Sequence, residues 1–134
     1  MNTQISESSE NYLETILILD NEKKMVRVKE ISQKMNVSMP SVHNALHILE
    51  ERGFVSHEHY GCVELTKKGR ATAKKIYDSH MQLVNFFTAV LGVTPDIAEQ
   101  DACRIEHVIS PQTVEQMNEF AKKYLSDAQD RGNR

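Results

Sequence analysis

Apolar side chains recur along this chain at helical spacing in six stretches, and polar or helix-breaking residues separate them. Tyr12, Leu13, Ile16 and Leu17 predict a first helix over about 8–21, capped by Ser8 or Ser9, with Glu10 favourably placed near its N-terminus. Val28, Ile31 and Met35 mark a short second helix that stops near Asn36. Ser38 reads as the N-cap of a third helix over 39–52. Pro40 lies in its first turn, Val42, Ala45, Leu46 and Leu49 form its apolar face, and Gly53 is its stop. From Phe54 to Leu65 the pattern changes. Val55 on one side and Val63 and Leu65 on the other flank a polar tip with Tyr60 and Gly61, which predicts a β-hairpin. A long fourth helix over 66–91 carries Ala73, Ile76, Tyr77, Leu83, Val84, Phe87 and Leu91, and Gly92 ends it. Thr94 and Pro95 open a fifth over 95–109, with Ile97, Ala98, Ala102, Ile105 and Ile109 on its apolar side. Ser110 and Pro111 then start a sixth, carrying Val114, Met117, Phe120, Ala121 and Tyr124, and the tail from Ser126 is expected to fray.

This order predicts a mainly α fold: an N-terminal winged helix-turn-helix with a small β-hairpin wing over 1–70, then an all-helical domain over 71–134. In such a fold the third helix enters the major groove of DNA while the hairpin reaches the backbone. The second half has apolar faces on short helices that one chain covers poorly, so a homodimer is expected.

Composition and charge sharpen this picture. With 134 residues, 26% charged, 40% hydrophobic and a net charge of −3, the chain is of globular type. No apolar run approaches the ~20 residues that span a bilayer. The polar start has no basic or apolar leader, so a cytoplasmic protein without a membrane segment is expected. Two cysteines, Cys62 and Cys103, are too few for a secreted disulfide framework; Cys62 reads as a small hydrophobe of the hairpin. Charge is segregated, with −5 over residues 1–22, +6 over 23–75 and −4 over 76–134. The basic block coincides with the winged helix, as phosphate binding requires, although solvated surface also explains such blocks. On the third helix, Ser38, Pro40, Ser41, His43, Asn44 and His47 are candidate DNA contacts, joined by Tyr60 at the wing tip. Arg27, Lys67 and Lys68 are candidates for phosphate. His57 and His59 alternate along the wing.

A second chemistry lies in the helical half. Glu99, Cys103, Glu106 and His107 fall at i, i+4, i+7 and i+8, so on one continuous helix they share a face. Thiolate, imidazole and carboxylates together suit a divalent first-row transition metal. His80 sits on the apolar stripe of the fourth helix, where an imidazole needs a polar partner; taken alone, a core histidine satisfied by a neighbour is the ordinary reading of such a position. Asn11 and Glu14 put two oxygen donors on one face of the first helix, which is also what an ordinary polar face looks like. Other chemistries fit less well. His43 and His47 have zinc-pair spacing without an acidic partner. A Cys103–His107 hydrolase lacks an oxyanion loop and a cleft. A regulator switched by oxidation of Cys103, or by a small ligand, is the alternative to metal control.

The runs SENYLETI, VSMPSVHNALHILEERGFV, Leu65 to Gly69, His80 and ACRIEHVIS together resemble the diphtheria toxin repressor and manganese transport regulator family, over residues 8 to about 125. The resemblance implies a homodimeric, metal-activated repressor of metal-uptake genes that binds double-stranded operator DNA. It implies Mn²⁺ or Fe²⁺ as cofactor, with Co²⁺ or Zn²⁺ as substitutes in vitro. Cys103, Glu106 and His107 match ligands of the family's iron-responsive branch, His80 matches a ligand of both branches, and Glu14 matches one of the manganese branch. Asn11 stands where the manganese branch has aspartate and the iron branch methionine, and Cys103 where the manganese branch has glutamate. Val84 replaces a glutamate of the iron branch's second site, and the overall build resembles the shorter, two-domain manganese type.

Overall fold

The computed structural model describes residues 5–22, 25–58 and 61–132, and the chain divides into two compact units, Met1–Ile76 and Tyr77–Arg134. Their elements follow the order α1 (Glu7–Glu22), β1 (Val26–Arg27), α2 (Val28–Met35), α3 (Met39–Glu51), β2 (Val55–His57), β3 (Cys62–Leu65), α4 (Lys67–Asn85), α5 (Pro95–Ile105) and α6 (Pro111–Gly132). The fold is mainly helical, with one small antiparallel sheet and a helix-turn-helix followed by a hairpin.

In the first unit, Leu13 and Ile16 of α1, Ile31 of α2, and Val42, Leu46 and Leu49 of α3 are fully buried with Val26 and Val55 of the sheet. These are the positions that the helical and strand periodicities put on one face each. The α2–α3 turn is closed locally. Asn36 takes a left-handed conformation at φ 56°, and Ser32 Oγ donates to Val37 O at 2.6 Å. Ser38 caps α3 by accepting from the Ser41 N–H at 3.2 Å. Gly53, at φ 79°, turns the chain out of α3 so that the Phe54 N–H reaches Leu49 O at 2.9 Å.

Several expectations are corrected. The cap of α1 is Ser6, whose Oγ accepts from the Ser9 N–H at 3.1 Å; Ser8 and Ser9 lie inside the helix. The hairpin gains a third strand, giving the order β1-β3-β2, with Val26 opposite Val63 and Arg27 opposite Cys62. The last turns of the long helix, Phe86–Val90, are π-helical, and Leu91 N–H reaches back to Phe86 O at 3.2 Å. Thr88 Oγ1 donates to Val84 O at 2.9 Å, a side-chain bond that competes with the backbone ladder there. Thr94 occupies the N-cap of α5 without a side-chain cap bond. That helix ends at Ile105 rather than 109, where the chain turns and the Val108 N–H reaches back to Ile105 O at 3.0 Å. Ser110 instead caps α6 through the Thr113 N–H at 3.2 Å. The tail expected to fray continues α6 to Gly132.

In the second unit, Leu83, Ala102 and Val114 form a buried core with Val84, Phe87, Ile105, Ile109 and Met117 around them. Leu91, Ile97, Val108, Phe120 and Leu125 stay exposed. Among the described residues, no helix is long and apolar enough to cross a membrane.

Candidate metal centre and DNA-reading face

His80 is the centre of a polar cluster built inside the second unit. The apolar positions around it on α4, Ile76 and Leu83, are buried, and they carry His80 into the interior with 6% of its surface exposed. Its Nδ1 lies 2.6 Å from Glu106 Oε2 and its Nε2 2.7 Å from Glu99 Oε1. With a carboxylate on each ring nitrogen, both nitrogens donate and the ring is an imidazolium. The Glu106 hydrogen bond and charge, aided by those of Glu99, outweigh burial and push the His80 pKa up to about 9. Glu106 dominates because its side chain is fully buried, whereas that of Glu99 is 63% exposed and its charge is screened.

The expected single-helix face is built differently. Glu106 follows α5 as its C-cap, with its N–H on Ala102 O at 3.0 Å, and His107 lies in the turn beyond. That turn buries the His107 side chain and brings its Nε2 to 3.4 Å from Glu106 Oε1. The approach lacks hydrogen-bond geometry, and Glu106 Oε1 has no hydrogen-bond partner although it is buried. A buried carboxylate oxygen left without a hydrogen bond is costly, and a cation satisfies it. The donor set of imidazole nitrogen and carboxylate oxygen therefore fits a divalent transition metal, in exchange for the His80 proton. Cys103 is exposed on α5; on α1, Glu14 is buried and Asn11 half-buried.

The α3 candidates for DNA reading lie on the exposed side of that helix in the first unit. Ser38, Pro40, Ser41, His43, Asn44 and His47 are all exposed on α3 or at its cap, opposite buried Val42, Leu46 and Leu49. His47 Nε2 stands 3.2 Å from Glu51 Oε1. Arg27 is exposed at the end of β1 and Lys67 at the start of α4. Lys68 is also used internally: its Nζ donates to Arg52 O at 3.0 Å and stands 4.5 Å over the Phe54 ring. Tyr60 lies outside the described residues.

Two family models match successive parts of the chain. Residues 4–63 match the family model of the iron dependent repressor N-terminal DNA binding domain. Residues 66–131 match that of the iron dependent repressor metal binding and dimerisation domain. The chain is 32% identical over 121 residues to an uncharacterised HTH-type transcriptional regulator of Methanocaldococcus jannaschii, covering 90% of this chain and 97% of that one. It is 32% identical over 120 residues to the transcriptional regulator MntR of Salmonella typhimurium, covering 90% and 76%. Among solved structures, the manganese regulator SloR is 30% identical with a TM-score of 0.75, covering 85% of this chain and 53% of that one. T. acidophilum IdeR, at 22% identity and a TM-score of 0.75, shares the fold over 88% of this chain and 55% of its own. The chain thus spans about half the length of these two solved proteins.

Proposed function

The chain belongs to the iron dependent repressor family, and from that premise we propose that it is a homodimeric, metal-activated repressor of metal-uptake genes acting on double-stranded operator DNA in the cytoplasm. Its fold and family make it a DNA-binding regulator and not an enzyme. The proposed division of labour assigns DNA to residues 1–70, and the dimer contact and the main part of the metal site to residues 71–134, with Asn11 and Glu14 as further donors from the first helix. The observation that carries the reading is the buried His80 imidazole held between the carboxylates of Glu106 and Glu99.

The proposed ligand set is Asn11, Glu14, His80, Glu99, Cys103, Glu106 and His107, and the ion Mn²⁺ or Fe²⁺, with Co²⁺ or Zn²⁺ as substitutes in vitro. A bound divalent cation supplies charge that anionic and imidazole donors share, which links the elements that carry them. Four of these residues have a defined task in the second unit. His80 releases its proton and offers a ring nitrogen; Glu106 supplies the buried anionic oxygen that already lacks a hydrogen bond. His107, buried beside it, offers a second imidazole. Glu99, mostly exposed, supplies the carboxylate on the other ring nitrogen of His80. Carboxylates that share an ion repel one another without it, so metal favours the arrangement that binds DNA, and DNA in turn tightens metal binding. The exposed Phe120, Leu125, Leu91 and Ile97 support a dimer contact in the second unit. Control by oxidation of Cys103 finds no support among the relatives, one of which is a manganese regulator.

The test is an anaerobic gel-shift titration with Mn²⁺, Fe²⁺, Co²⁺ and Zn²⁺. Operator binding is expected only with metal, and Glu106→Ala or His107→Ala is expected to abolish that dependence while the dimer stays folded. Metal-dependent binding with an unchanged midpoint in either variant overturns the assignment.

A further inference from the structure

Among the described residues, histidines meet at one place outside the metal centre. His43 projects from the exposed side of α3 and His57 ends β2, and their rings stack with centroids 6.0 Å apart and planes inclined by 30°. Both ends of this contact are anchored. α3 is held by buried Val42 and Leu46 on either side of His43. His57 is paired with Val63 across the sheet, and its backbone N–H donates to Glu50 Oε2 at 3.4 Å. The stack therefore ties the wing to the second turn of α3, at the centre of the surface assigned above to DNA.

We propose that His57 is a positioning residue for DNA reading: by stacking on His43 it orients that ring on α3 and makes reading by the helix depend on the wing. The inference rests on the DNA-reading role of α3 given above. An exposed imidazole has free rotamers, and ordering it on contact with DNA costs entropy. A stacked neighbour fixes the ring beforehand, so less is lost on binding.

The experiment compares two probes with saturating Mn²⁺: a duplex selected from a random library by the wild-type protein, and the unselected pool of the same length. The ratio of the two affinities cancels metal loading and general phosphate attraction. At pH 8, His57→Gln is expected to lower the ratio about fivefold. His43→Gln should do the same, and the double variant should be no worse than either, as residues acting as one unit behave. His57→Phe, which keeps a stacking ring, should restore the ratio. A wild-type ratio in His57→Gln, or no rescue by His57→Phe, overturns the inference alone. Failure of the wild-type protein to enrich any duplex overturns the DNA-reading role and this inference together.

Discussion

Gly69 packs its Cα against the carbonyl of Phe54 so closely that any side chain there would overlap the carbonyl oxygen and carbon. The same carbonyl accepts the Thr66 N–H at 3.0 Å, and Thr66 Oγ1 donates to Gly53 O at 2.6 Å while accepting the Gly69 N–H at 3.0 Å. One threonine thus caps α4 and pins it to the start of the wing. Gly69→Ala must push α4 from this junction and is expected to destabilise the protein by about 1–3 kcal/mol. Gly132→Ala, with open space around it near the end of α6, is expected to be neutral or slightly stabilising. Urea denaturation of both variants in chelator checks the contrast; equal midpoints would refute the close approach.

The raised His80 pKa has a definite consequence for pH. Its folded-state value of about 9 lies above the ordinary 6.5, so the contribution to stability is fully present below pH 6.5 and is lost as pH rises through 9. In chelator, the wild-type protein should lose stability between pH 6.5 and 9 by more than His80→Gln does. Below pH 9, metal must displace this proton. Metal binding at pH 7.5 is therefore expected to release about one more proton in wild type than in His80→Gln. Calorimetry in buffers of differing ionisation enthalpy reads this number, and equal release in the two proteins would contradict the imidazolium assignment.

Cys103 decides the ion under the proposed ligand set. Thiolate favours Fe²⁺, Co²⁺ and Zn²⁺ over the harder Mn²⁺. Wild type is expected to respond to Fe²⁺ at least as well as to Mn²⁺. Cys103→Glu should shift activation towards Mn²⁺, more so with Asn11→Asp. The half-maximal metal concentrations for DNA binding, measured anaerobically, give the ratio; a ratio unmoved by Cys103→Glu would make this exposed thiol a bystander.

Base reading and phosphate attraction should separate by residue. Asn44 is exposed near the N-terminal turns of α3, and its amide can pair with adenine through two hydrogen bonds. Asn44→Ala is expected to cost ~1–3 kcal/mol on selected DNA and little on random DNA. Arg27→Ala or Lys67→Ala should weaken binding to both and flatten the salt dependence. Lys68→Ala should also loosen the fold, since its ammonium holds Arg52 O and the Phe54 ring. Equal losses on both DNAs for Asn44→Ala would count against the division.

Much of this protein is determined by local sequence. The spacing of Leu13 and Ile16, of Val42, Leu46 and Leu49, and the Ser38, Pro40 and Gly53 signals place α1 and α3 because helix formation and capping depend on residues within a few positions of one another. His80 on an apolar stripe announces a buried polar group that needs a partner, and the run around Glu106 supplies candidates for it. Long-range contacts decide the rest. Two residues, Val26 and Arg27, are too short a segment to show a strand period, and they become β1 only by pairing with β3. The end of α5 at Ile105 takes Glu106 and His107 off the helical face that a continuous helix predicts, and the turn brings them together. That His80 binds Glu106 and Glu99 at once, and that His57 meets His43, follow from packing between elements distant in sequence. No local pattern encodes such pairings, because their energy exists only after the chain has closed the loops between them.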